Sequence, residues 1–250
     1  MKKGLSYWLI YLALPICILA VWEGFQIAGK LKPYTMPPPM TIVETTLDYI
    51  KNGKLWENIG ISFIRVLKGF GAGLAAGFVI GILSALFPKF EAFTELVIQI
   101  LRPIPPIAWI PLAILWFGIG EESKVFIIFL GAFFPIFLNT LEGVRNIDSR
   151  YFELAQVYEV PKPLLIWQIV IPGALPSIMT GIRLGVGNAW VCVVAAEMIG
   201  AVSGVGHMLS DGRSLSRPDI VILGMLIVGV VGKIMDDILR LINKKLITWI

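Results

Sequence analysis

Few residues of this chain have types and spacings that could carry chemistry, and those few argue for solute passage and protein contact more than for bond making. Charged residues make up only 15% of the 250 positions. An ionisable side chain inside an apolar run is costly in lipid and marks a candidate functional position. Arg183 and Glu197 stand in one such run, from about Pro176 to Ile199. On a helix their spacing is close to four turns, so they share a face about 21 Å apart and cannot pair with each other. Arg183 reads in two ways. It is a cation on a pathway, easing an anion through without holding it too tightly, or one half of a structural ion pair within a bundle. Glu197 reads as a pathway group or as a brace to neighbouring helices or the outer loop, and a place near the end of the run would let either charge reach the interface. Asn188 and Trp190 follow on the same helix as candidates for a pathway wall. Glu23, near the end of the first apolar run, is interfacial.

Bond-making chemistry finds no constellation. There is no G-x-x-x-x-G-K-[ST] phosphate loop, no H-E-x-x-H and no G-x-S-x-G, so neither a nucleotide nor a catalytic metal has its usual cradle. His207, the one histidine, follows Gly204 and Gly206 with no Cys or carboxylate cluster beside it. Cys17 and Cys192 match no metal or redox spacing and read as inert buried thiols. The expectation is a protein that is not an enzyme and binds neither cofactor nor metal.

These residues must be positioned by membrane-spanning helices. Hydrophobic residues make up 57% of the chain and its mean hydropathy is +0.82, whereas soluble domains carry about 25% charged residues. A soluble surface must stay wettable, and a chain of this size has no interior able to hide so much apolar area. The net charge of +4 then reflects Lys and Arg at membrane edges, not nucleic-acid binding, because no basic run with interleaved aromatics is present. The fold class is all-α, a polytopic membrane protein of about six transmembrane helices.

A span needs roughly 20 apolar residues. The first runs from Trp8 to about Ala28 behind Lys2 and Lys3. A cleavable signal peptide is the competing reading, disfavoured by the long run and the lack of an A-x-A-like site. A polar stretch with Pro37-Pro38-Pro39 follows, then a surface helix from Thr41 to Leu55. The second span, Ser62 to Phe87, places Gly69, Gly73, Gly77 and Gly81 on one face, a ridge for close packing inside one subunit or across a dimer. The third region, Phe93 to Phe117, contains Pro103, Pro105, Pro106 and Pro111. Prolines remove backbone donors, and non-helical backbone at membrane depth survives only when buried or lining a wet cavity. Pro105 and Pro106 are therefore either pathway residues or a structural kink. Spans from Val125 to Leu141, Pro176 to Ile199 and Asp219 to about Leu239 complete the six, and a Gly- and Ser-rich loop, Gly200 to Pro218, precedes the last. Residues 1–60 form an N-terminal span and extracytoplasmic segment. Residues 61–250 form a five-helix core with a polar loop at about 142–172. The Lys and Arg bias weakly favours both termini in the cytoplasm.

That loop reads VRNIDSRYFELAQVYEVPKPLLIWQIVIPGALPSIMTG. It resembles the EAA signature of permeases in ATP-binding-cassette importers, with Glu153-Leu154-Ala155 at its start and Ile169, Ile171 and Pro172 at its end. The flanks SFIRVLKGF, RPIPPIAWIPLAILWFGIGEESKVFIIFLGAFFPIFLNTLEGVR and LPSIMTGIRLGVGNAWVCVVAAEMIG resemble the nitrate/sulfonate/taurine branch of that family. The sequence departs from the pattern at Leu154 and at Glu159, where the family carries glycine in a tight turn, although Pro161 can still end a helix.

The resemblance implies a type I importer permease fold in a prokaryotic inner membrane, conducting a small solute such as a sulfonate, taurine or nitrate. It implies a short cytoplasmic helix, about Arg150 to Val160, docking on an ATPase subunit through Tyr151, Glu153, Leu154, Ala155, Gln156, Tyr158, Glu159 and Pro161. A strand-like linker would then return through Pro172. ATP and Mg would belong to the partner ATPases, and the other implied partners are a second permease copy, an extracytoplasmic binding protein and membrane lipid. The rival readings are a permease of the same family for a vitamin precursor or other aromatic solute, and an ATP-independent secondary transporter. The latter should show inverted repeats and relay carboxylates.

Overall fold

The computed structural model describes residues 5–32 and 34–247, and among them the chain is helical with no strand. Lys2 and Lys3 lie outside the described residues. Helices α1 (Leu5–Ile27) and α2 (Pro39–Lys51) precede the long α3 (Lys54–Leu86). Then come α4 (Pro88–Leu101), a 3-10 turn (Pro106–Trp109), α5 (Ile110–Phe117) and α6 (Glu121–Arg145). The short α7 (Ser149–Val157) and α8 (Lys162–Leu165) lead through a π turn (Ile166–Val170) into α9 (Ile171–Gly200), and α10 (Val205–Ser214) and α11 (Pro218–Leu246) follow.

Four helices are long and apolar enough to cross a bilayer: α3, α6, the continuous Lys162–Gly200 helix and α11. The α4–α5 pair, bent by 89°, makes a fifth. The sixth expected span corresponds to α1, a shorter apolar helix over Tyr11–Ile27, and from Tyr11 onward nearly all its side chains are exposed, as suits lipid. Cys17 is among them, so it is not the buried thiol the sequence suggested; Cys192 is buried. The difference arises because α1 stands apart from the bundle and its apolar surface belongs to the bilayer.

The glycine row explains the centre. Gly69, Gly73, Gly77 and Gly81 of α3 lie on Ile128, Ala132, Ile136 and Thr140 of α6. A Cβ built on Gly69 would fall 2.6 Å from the Cβ of Ile128, and one on Gly73 would fall 2.8 Å from that of Ala132. Only hydrogen fits. In lipid, where helix association depends on van der Waals contact, such a row lets backbones approach closely. The paired residues rise in sequence together along α3 and α6, so these helices run parallel. The chain must therefore cross the layer between Leu86 and Glu121, and α4–α5 makes that return. On its other side α6 packs antiparallel to α9, with Gly131 against Cys192 and Gly181 against Asn139.

The third apolar region is thus a broken span, not one kinked helix. Arg102 is followed by Pro103, and Pro105 takes an extended conformation (φ −58°, ψ 136°) before Pro106 opens the 3-10 turn. Two prolines in succession deny the helix its donors, and the residue before each is pushed out of the α region. Elsewhere, α3 begins eight residues before the expected Ser62 because left-handed Gly53 (φ 72°) separates it from α2. The Gly- and Ser-rich loop folds into α10, tucked between α9 and α11. The bundle therefore has an α7 end, with the C-termini of α3 and α6, and an α10 end, with α2 and the N-termini of α3 and α6.

Candidate functional site

At the α7 end, Asp148 accepts a hydrogen bond from the Arg150 amide (3.0 Å) and starts α7, a standard N-cap. The helix is two-faced. Ala155 is buried, and Phe152 packs on the cluster of Val144, Val170 and Ala174. Tyr151, Leu154 and Tyr158, three and four residues apart, stand exposed with Val157, and Val157 and Tyr158 each keep 77% of their surface. Glu153, Gln156, Glu159 and Pro161 are exposed too. An apolar stripe on a short helix at the water boundary is unusual and marks an interaction surface.

The helix ends on a Schellman motif. The Val160 amide donates to the Ala155 carbonyl (2.9 Å) and the Glu159 amide to that of Gln156 (3.2 Å). The motif needs a left-handed residue after the cap, and Glu159 supplies it at φ 49°. The position where the resemblance expects glycine thus takes the backbone conformation that glycine favours, at a cost of about 1 kcal/mol for a residue with a side chain.

No strand returns the chain to the membrane. Lys162–Gly200 is one helix of 39 residues, about 58 Å long at 1.5 Å per residue. Pro172 has no amide to give Gln168, and the wide turn at Ile166–Val170 absorbs the misfit, as π turns do. One continuous helix thus leads from just beyond α7 to the α10 end.

At that far end lies an ion cluster. Arg65 is 4% exposed and Glu197 1%. The Arg65 guanidinium donates from Nη1 to Glu197 Oε1 (2.8 Å) and to the Ser203 carbonyl (2.7 Å). Its Nε and Nη2 donate to the two Glu121 oxygens (2.7 and 2.6 Å), a bidentate pair. Glu197 also accepts from Ser62 Oγ (2.8 Å) and the Gly206 amide (2.9 Å). The Val205 amide donates to Ser62 Oγ (2.9 Å) and the Gly204 amide to Asn58 Oδ1 (2.8 Å). The first amides of α10, which a helix cannot satisfy itself, are therefore held by α3 and α9, with a carboxylate at the positive end of the dipole. Lys124 Nζ donates to the Gly120 carbonyl (2.8 Å). One cluster ties α3, α6, α9 and α10 together. Arg65, Ser62 and Glu121 were not singled out in the sequence, although Ser62 precedes Gly69 by seven residues and so shares the ridge face.

Nearby, Thr45 donates to Asp219 (2.7 Å) and pins α2 to α11. Arg217, just outside the span, donates to the same carboxylate (2.6 Å), which holds its guanidinium above its ordinary pKa. Burial pushes the neighbouring Tyr49 phenol up, opposed by the charge of Arg217.

The remaining candidates separate. Arg183 forms an ion pair with Asp236 of α11, beside a cavity of about 40 Å³ shared with Trp190 and Gly232, room for about one water. Trp190 is buried and donates to the Val228 carbonyl (2.9 Å). Asn188 is exposed about 1.4 turns beyond Arg183, on a different face, and Pro105 and half-buried Pro106 sit at the bend of the broken span. Glu197 is not with them but in the ion cluster.

Comparison with known proteins agrees with this architecture. Residues 77–248 match the family described as binding-protein-dependent transport system inner membrane component. A Bacillus subtilis (strain 168) permease named for aliphatic sulfonates transport, SsuC, is 41% identical over 97% of this chain and 88% of its own. The taurine transport system permease protein TauC of Escherichia coli (strain K12) is 31% identical over 93% of this chain and 86% of its own. A solved inward-facing structure of the MetNI methionine ABC transporter superposes with a TM-score of 0.65 at 16% identity, covering 80% of this chain and 98% of that one, and so shares its fold. With a bundle of this shape, a loop helix exposed at one end, and a family match over more than half its length, the chain belongs to the binding-protein-dependent transport system inner membrane components.

Proposed function

We propose that this permease forms half of the solute pathway of an ATP-driven importer, working as a homodimer in a prokaryotic inner membrane with both termini cytoplasmic. Its solute is a small organic anion of the sulfonate class, as the names of its similar relatives support. Two ATPase subunits bind ATP and Mg and dock on α7, and a binding protein delivers solute at the α10 end. The chain itself makes and breaks no covalent bond; it offers different contacts in inward- and outward-open states.

The observation that carries this reading is the exposed apolar stripe Tyr151, Leu154 and Tyr158 on a helix whose opposite face is anchored to the bundle. When the ATPases close, they push α7, and the helix Lys162–Gly200 carries the displacement to Glu197 and α10. Packed interfaces switch between discrete arrangements, which suits such a lever.

The test is co-purification in mild detergent with the ATPase encoded beside it. A two-to-two complex is expected, abolished by Leu154→Arg or weakened by Glu153→Arg while the permease keeps its own melting temperature. Purification without any ATPase, with uptake driven by an ion gradient alone, would replace this reading with a secondary transporter.

A further inference from the structure

Toward the α10 end, α3 and α6 flank an open groove of about 420 Å³. Its lower part is apolar, with Ala72 of α3 on one side and Val125, Phe126 and Phe129 of α6 on the other. The aromatic wall continues deeper, Phe126 stacked on Phe129 at 6.4 Å and Phe129 on Phe133 at 5.6 Å. Beside the groove on α3, Phe63, Ile64 and Leu67 are exposed, and on a membrane span such a surface meets acyl chains.

The mouth of the groove is charged. Lys68 and Glu122 line it from opposite helices. Both are exposed, and among the described residues neither has a side-chain hydrogen bond or ion pair. Gly69 lies on Ile128, so the Lys68 backbone is level with Ile127, roughly 7.5 Å deeper than Glu122. Helical side chains lean toward the N-terminus, which for α3 is the α10 end, so the Lys68 ammonium extends toward the polar edge of the bilayer. Glu121 lines the groove too, but both its oxygens are held by Arg65. One uncommitted cation and one uncommitted carboxylate therefore stand at the head of an apolar slot.

This arrangement selects its occupant by charge and shape. A wholly water-soluble solute has nothing to place in the slot, whereas a lipid has an acyl chain. An anionic headgroup would satisfy Lys68 and be repelled by Glu122. A headgroup with a phosphate and a primary ammonium satisfies both, and a quaternary ammonium has no N–H to donate to the carboxylate.

We propose that this groove binds an aminophospholipid of the outer leaflet, phosphatidylethanolamine, with its phosphate at Lys68, its ammonium at Glu122 and an acyl chain over Ala72 and Phe129. Glu121 belongs both to the groove wall and to the Arg65 cluster, so the lipid abuts the network that joins α3, α6, α9 and α10. The inference is independent of which solute is carried.

The test is native mass spectrometry of the full-length permease, in the complex as it purifies from mild detergent, titrated with phosphatidylethanolamine, phosphatidylcholine and phosphatidylglycerol of identical acyl chains. One phosphatidylethanolamine per permease should be held about fivefold more tightly than either of the others, the worth of one half-exposed ion pair. Glu122→Gln should bring the ratio to phosphatidylcholine close to one. Lys68→Gln should weaken all three lipids and Lys68→Arg should keep the preference. Ala72→Phe, at an exposed position, should fill the slot and lose the lipid with the melting temperature unchanged. Equal retention of phosphatidylethanolamine and phosphatidylcholine, a preference unchanged in Glu122→Gln, or tighter binding of phosphatidylglycerol overturns the proposal. So does a disulfide between Ala72→Cys and the exposed Cys17 of a second copy, abolished by Cys17→Ser, because a protein helix would then occupy the groove.

Discussion

Removing Glu197 should uncouple α10 from the bundle. Glu197→Ala takes the acceptor from the Ser62 hydroxyl and the Gly206 amide and leaves Arg65 Nη1 with the Ser203 carbonyl alone. Breaking one side of a buried pair costs about 3–5 kcal/mol, mostly because the survivor stays buried and uncompensated. Glu121 keeps hold of two Arg65 nitrogens, so the lower figure applies: about 3 kcal/mol, roughly a hundredfold in the folding equilibrium. Arg65→Gln should cost about as much, because it strands the fully buried Glu197. The double variant removes both charges, and with them the penalty of an orphan, so its loss should fall short of the sum by at least about 1.5 kcal/mol. Denaturant unfolding in mixed micelles, extrapolated linearly, measures each corner of this cycle. Amide exchange should show Val205 and Gly206 opening faster in either single variant while the α3–α6 contact stays protected. Additivity within about 0.5 kcal/mol would refute the coupling, as would unchanged exchange in α10.

Two other outcomes follow from the backbone. Gly73→Leu should prevent α3 from docking on α6, since a Cβ there already falls 2.8 Å from Ala132, whereas Gly71→Leu, on the same helix with nothing within 4 Å, should leave folding intact by gel filtration. Equal yields of monodisperse protein from both would contradict the parallel ridge. Glu159→Gly trades a left-handed strain of about 1 kcal/mol against the extra freedom of glycine in the unfolded chain, about 0.7 kcal/mol. Exchange protection of α7 should therefore rise slightly or hold, while Glu159→Val should lower it by more than about 1 kcal/mol. The reverse order would mean that the Glu159 side chain, not its backbone, matters.

Composition, apolar run lengths, the four-residue glycine spacing and the proline cluster were legible without coordinates, because each acts through neighbours along the chain. They determined an all-α membrane bundle, the ridge face of α3 and an irregularity near Pro105, which the structure shows to be a break and not a kink. The resemblance carried by the loop around Glu153 implied a short helix at about Arg150 to Val160, where α7 stands. Tertiary structure alone decided which charges meet. Arg65 and Glu197 are 132 positions apart, and nothing in either segment names the other. The Arg183–Asp236 pair joins two spans in the same way. The helix through Pro172 and the groove between α3 and α6 also escaped a linear reading. Local propensity opposed the first, and the second depends on where α3 and α6 stand. In a bilayer the apolar pattern says only that a helix crosses; which face turns to lipid and which charge finds its partner is settled by the packing of helices against one another.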